Sequence, residues 1–155
     1  MRFDMQRFSQ LDRVIVGAAV VVFVSGLLPW WGYSGPADFY SASVVGWNAG
    51  FAAWAGILLL VAAGAYLVAR RSEVALPALA VGPAALVAGA ATLGLVLIVL
   101  RWLTLPRVEG GLAGSIGAKY GLYVALIAAI VEAGAAVVAL RASGEPMPWA
   151  QRTSK

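Results

Sequence analysis

Gly121-Leu-Tyr-Val-Ala-Leu-Ile-Ala-Ala-Ile-Val-Glu132-Ala-Gly-Ala-Ala-Val-Val-Ala-Leu140 is apolar over the length a helix needs to cross the hydrocarbon core of a bilayer, about 20 residues. One residue breaks the pattern. Glu132 stands near its middle, with no charged residue within two helical turns on either side. At helical spacing Ala125, Ala128, Glu132, Ala135 or Ala136, and Ala139 fall on one face, with Leu122, Leu126, Val137 and Leu140 elsewhere. Small residues let another helix approach closely, so the carboxyl is expected to point into a helix contact.

The rest of the chain repeats this apolar length. Residues 14–31, 49–69, 76–102 and 119–141 read as four transmembrane helices. Composition agrees: 62% of the 155 residues are hydrophobic and 12% charged, half the charge of an ordinary soluble domain. The expected fold class is therefore all-α, a polytopic four-transmembrane-helix bundle forming one membrane domain over 1–155. The first span is too long for a signal-peptide core, and the aromatics after it do not make a cleavage site.

Between the spans, 32–48 and 103–118 read as outer loops and 70–75 as an inner turn. Residues 1–13 read as an interfacial N-terminus and 142–155 as an extended cytoplasmic tail, broken by Pro146 and Pro148. Ser9-Gln-Leu-Asp12 has the spacing of a capping box ahead of the first apolar run. Pro83 falls inside the third span and predicts a kink near Gly82, because it frees the carbonyl of Leu79. Ala85, Gly89 and Gly94 in the third span, and Gly56 and Gly64 in the second, are expected helix-contact positions.

Positive charge assigns sides. Arg2, Arg7, Arg13, Arg70, Arg71, Arg141, Arg152 and Lys155 share one side of a four-span chain, against Arg101, Arg107 and Lys119 on the other. Both termini are then expected in the cytoplasm. Aromatic residues cluster on the opposite side, where Trp30, Trp31, Tyr40, Trp47 and Trp102 are candidate outer-face contacts at headgroup depth. The net charge of +4 sits mostly at span ends, so it reports topology and no nucleic-acid partner is expected.

Chemistry is sparse. The chain has no histidine and no cysteine, which removes the commonest general base, the commonest metal ligand and every thiolate. Met1, Met5 and Met147 are terminal, so no haem ligand pair is expected, nor any other cofactor or metal. The glycine-rich run Glu109–Lys119 lacks the Gly-Lys-Ser/Thr and the preceding strand of a phosphate-binding loop. Ser34, Ser41 and Ser43 have no histidine, and Lys119 is remote from them in sequence. Asp38 and Glu109 read as solvated acids. An enzyme is not expected.

Leu28-Pro-Trp-Trp-Gly32, Ser41-Ala-Ser-Val-Val-Gly-Trp47, Arg101-Trp-Leu-Thr-Leu-Pro106 and Gly144-Glu-Pro-Met-Pro-Trp149 together resemble the small four-helix membrane proteins widespread in actinobacteria. That resemblance implies a bacterial plasma membrane and carries no activity. In length, span count and a carboxylate in the last helix the chain is also similar to the proteolipid of rotary ATPases, though its first helix lacks that family's dense glycines.

Two functional expectations follow. An accessory or assembly subunit would meet the lipid bilayer and a membrane-protein partner or a second copy of itself through small-residue faces and aromatic loops. A transport element would use Glu132 as a mid-membrane proton-binding carboxyl, since an ionisable group at that depth is costly. Ser25 and Thr92 are the only serine or threonine hydroxyls in the other spans, and with Glu132 they make the candidate intramembrane set. A neutral Glu132 bonded to Ser25, Thr92 or a backbone carbonyl, directly or through a water, is the structural expectation. Glu132→Leu should then cost more than Glu132→Gln, by stranding that partner.

Overall fold

In a computed structural model of the chain, residues 8–35, 41–72, 74, 81–106 and 114–145 are described. They form four helices: α1 (Gln10–Ser25), α2 (Phe51–Arg71), α3 (Pro83–Leu103) and α4 (Tyr120–Ser143). Three of them, α2, α3 and α4, have 21, 21 and 24 residues and are long and apolar enough to cross a membrane. At 1.5 Å per residue, α2 and α3 each extend about 32 Å. α1 packs on α2 and α4, α2 on α3, and α3 on α4, closing a ring of four neighbours.

Side chains are sorted in the manner of a membrane protein. On α4 the exposed positions include Tyr123, Ile127, Ile130, Val131 and Val138, while the buried ones are mostly alanine. Large apolar groups thus face outward and small ones inward, which suits helices that pack closely against each other in lipid. α2 and α3 meet where Gly56 and Gly94 cross. A Cβ on either would stand 3.0 Å from the other's carbonyl oxygen. Gly64 lies against Ala19 of α1, whereas Gly89 faces open space and is not a contact position.

α1 differs from the expected first span. It starts at Gln10, capped as expected by Ser9: the Asp12 amide donates to Ser9 Oγ, and the Ser9 amide donates to the Asp12 carboxylate. It ends at Ser25, six residues before the expected boundary. With 16 residues it covers about 24 Å, short of a full hydrocarbon core. Hydropathy alone predicts helix through residues 27–31, but Pro29 cannot continue the helical ladder and opens a strand instead.

The loops expected on the outer side hold the main departure from an all-α fold. Strands β1 (Pro29–Ser34), β2 (Ser41–Val45) and β3 (Ser115–Ala118) make an antiparallel sheet in the order β2-β1-β3. Ser34 pairs with Ser41 on one side and Ser115 on the other. A short 3-10 turn, Gly46–Asn48, joins β2 to α2. Alternation along β1 buries Trp30 and Gly32 and leaves Trp31 and Tyr33 half-buried, the period-2 signature of a strand.

Pro83 does not kink a helix. It is the first residue of α3, where its missing amide proton would have had no helical acceptor and its fixed φ suits the first turn. The expected start at 76 moves to Pro83. Residues 75–80, including the Leu79 carbonyl, lie outside the described residues.

Candidate functional site

Glu132 lies 12 residues into the 24-residue α4, about 18 Å from its start and so near the centre of the bundle. Its side chain is fully buried, as expected. Ala128, Ala129, Ala133, Ala135 and Ala136 surround it on the inward face of α4. Leu122 and Leu140, expected elsewhere, share that face at its two ends. A wider stripe is buried because α4 touches both α1 and α3.

The expected partners do not meet the carboxyl. Neither oxygen of Glu132 has a hydrogen-bond partner among the described residues. Ser25 is buried, but its hydroxyl donates to the Val22 carbonyl at 2.6 Å within α1. It also stands near the start of α4, because Leu28 and Pro29 just beyond it crowd Gly121. Glu132 is 11 residues further along, about 16 Å. Thr92 is exposed, one residue past the buried Ala91 and two before the buried Gly94, so it faces away from the ring.

The two ends of the bundle are unequal. At the sheet end Trp30 is fully buried, with its indole Nε1 donating to the Ser25 carbonyl at 2.8 Å. Its ring fits because position 46 is glycine: a Cβ there would lie 2.5 Å from the indole. At the other end is a cavity of about 230 Å³, with Ile15, Tyr66, Arg71, Ala136 and Glu145 among its lining residues. Ala136 is one helical turn beyond Glu132 on the same face, so the cavity wall begins about 6 Å past the Glu132 backbone along the helix axis.

Two long-range contacts fix the cavity end. Arg71 pairs with the buried Asp12 at 2.8 Å, tying α2 to the start of α1. Glu145, read from sequence as part of an extended tail, follows Gly144 in the left-handed conformation at φ 68°. Its carboxylate accepts from the amides of Ala84 at 3.1 Å and Ala85 at 3.1 Å, capping α3. The N-cap of α3, Gly82, offers no side-chain cap, so the orphan amides of the first turn take this carboxylate from α4's end. These contacts gather the start of α1, the end of α2, the start of α3 and the end of α4 at one end.

The candidate outer-face aromatics separate. Trp30 is a core residue and not a surface contact, because strand alternation turns it inward. Trp31, Trp47 and Trp102 are half-buried; Trp47 stands edge-on to Phe23 with ring centroids 5.7 Å apart. Tyr40 lies outside the described residues. The sheet also brings Lys119, remote in sequence, to Ser34: Nζ donates to Oγ at 3.3 Å. No group of three histidine, cysteine or carboxylate side chains able to hold a metal occurs among the described residues.

What this arrangement offers is a buried carboxyl in a ring of small residues, a charged cavity one turn away, and a sheet over the opposite end. The chain matches no protein-family model, no curated protein and no solved structure.

Proposed function

We propose that the protein is a non-enzymatic accessory or assembly subunit of a bacterial plasma-membrane complex, with both termini cytoplasmic and the sheet on the outer side. The observation that carries this is the edge of the sheet. β2 pairs with β1 alone among the described residues, and Ser41, Ala42 and Ser43 are exposed and uncharged. Edge strands carry unpaired backbone donors and acceptors, and proteins that avoid strand addition blunt them with charge or proline. An edge of small neutral residues, held by β1 on a membrane bundle, suits an extended segment of a partner protein.

The test is purification of the tagged full-length protein in mild detergent, beside Ser41→Lys/Ser43→Lys, which adds charge to the edge. A stoichiometric partner that is lost with the double variant supports the proposal, provided the variant elutes as the wild type does. Absence of a partner, or a partner indifferent to the edge charges, refutes it.

A second proposal rests on Glu132. A fully buried mid-helix carboxyl without a hydrogen-bond partner among the described residues, one turn from a cavity, supports a proton-binding role. Glu132→Gln that folds normally but abolishes the cellular role would favour it, as would proton flux through the purified protein. Retained function in Glu132→Gln would leave the carboxyl structural.

A further inference from the structure

We propose that water reaches Glu132 through the charged cavity, so that the carboxyl exchanges its proton with the Arg71 end of the bundle and not with the sheet end. This rests on the proton-binding reading of Glu132 and adds the side that it serves.

Toward the Arg71 end the interval is short and opens on polar surface. The cavity of about 230 Å³ has room for several waters, each taking about 30 Å³ in the liquid. Asp12, Tyr66, Arg70, Arg71, Ser143 and Glu145 supply polar atoms to its lining. Arg70, Arg71 and Ser143 are exposed, so the cavity meets bulk solvent. Ala136 belongs to its wall with Val87 of α3 and Ile15 of α1, one turn past Glu132. The buried residues of that turn, Ala133 and Ala136, have no side-chain atom beyond Cβ and leave little bulk in the way of a water.

Toward the sheet the interval is long and apolar. From Glu132 back to Gly121 the helix runs 11 residues, about 16 Å, and Leu122, Ala125 and Ala129 on its inward face are fully buried. Val22, Ser25 and Trp30 are fully buried at the same end. The Ser25 hydroxyl donates to the Val22 carbonyl and the Trp30 indole to the Ser25 carbonyl, so neither donor is left for a water. The Cα–Cβ bond of Glu132 tilts toward the start of α4, hence toward the sheet. The reach of one side chain narrows the difference between the two intervals without reversing it.

Other ionisable groups stand near helix ends. Of the elements around Glu132, α1 carries Asp12 and Arg13, α2 carries Tyr66, Arg70 and Arg71, and α3 carries Arg101. Tyr120, Tyr123 and Arg141 lie in the first and last turns of α4. Among the described residues Glu132 is therefore the one titratable group at the middle depth of the bundle.

The experiment is infrared spectroscopy of the full-length protein in phosphatidylcholine vesicles, at a pD where Glu132 is protonated. The carboxyl carbonyl band that is lost in Glu132→Gln reports the group, and its shift on transfer to D2O times the exchange. Single cysteines carry the plugs: Ala139→Cys on the cavity wall and Ala118→Cys on β3, each compared before and after reaction with N-ethylmaleimide. The adduct on Ala139→Cys should slow exchange roughly tenfold or more, because exchange must then await local opening. The adduct on Ala118→Cys should leave the rate unchanged. Slowing by the Ala118→Cys adduct alone, by neither adduct or by both alike overturns the proposal and leaves the proton-binding reading standing. If no carboxyl band distinguishes wild type from Glu132→Gln at any pD where the protein stays folded, both fail together.

Discussion

Replacing Glu132 by leucine should stabilise the protein, and the structure supplies the sign. With Ser25 or Thr92 as partner, leucine would strand a buried hydroxyl and cost stability. The Ser25 hydroxyl is instead bonded to the Val22 carbonyl, Thr92 faces outward, and both carboxyl oxygens are buried without a partner among the described residues. Leucine then leaves nothing unsatisfied and removes two polar atoms whose burial is uncompensated. An unsatisfied buried polar group costs about 1–3 kcal/mol, and an ionised carboxylate at this depth about 2.5–3.5 kcal/mol on insertion scales. The branch of leucine must fit beside Ala128, Ala129, Ala133 and Ala136, and overpacking of this kind costs about 1–3 kcal/mol at worst. The net expectation is a gain of about 1 kcal/mol, from the lower part of the first range less modest crowding. Glu132→Gln keeps the shape and the buried polar atoms and should stay within about 0.5 kcal/mol of wild type. The assay is reversible unfolding of each variant in mixed micelles, followed by tryptophan fluorescence and far-UV circular dichroism. If Glu132→Leu proves less stable than Glu132→Gln by more than about 1 kcal/mol, the carboxyl has a partner and the reasoning is wrong.

Gly56→Ala should destabilise by about 1–3 kcal/mol, because the added methyl meets Ile98 and the Gly94 carbonyl, while Gly89→Ala should be neutral or slightly stabilising. Equal unfolding midpoints for the two variants would remove the Gly56–Gly94 crossing as a packing constraint. Single cysteines need no background correction in a chain without native cysteine. Ser41→Cys and Ser115→Cys, which flank Ser34 in the sheet, should react with an impermeant thiol reagent in intact cells. Ser72→Cys and Ser154→Cys should require permeabilisation, and the reverse pattern would invert the proposed orientation.

Hydropathy is a local sum along the chain, so the long apolar helices and the capping box at Ser9 and Asp12 were legible without tertiary information. So was the inward face of Glu132, because helical spacing alone groups it with Ala125, Ala128 and Ala136. Local reading misplaced the ends where another element decides the outcome. α1 stops at Ser25 because the chain turns over residues 26–28 into a strand that opens at Pro29, and β1 finds β3 more than 80 residues away. Trp30 looked like an interfacial aromatic, and only the pairing of β1 and the glycine at position 46 make room for it inside. The surroundings of Glu132, the cap of Glu145 on α3 and the meeting of Tyr66, Arg70 and Val87 depend on which helices are neighbours and at what depth. Those relations arise between side chains distant in sequence, where composition and periodicity carry no information. They were set by the order in which the four helices close their ring.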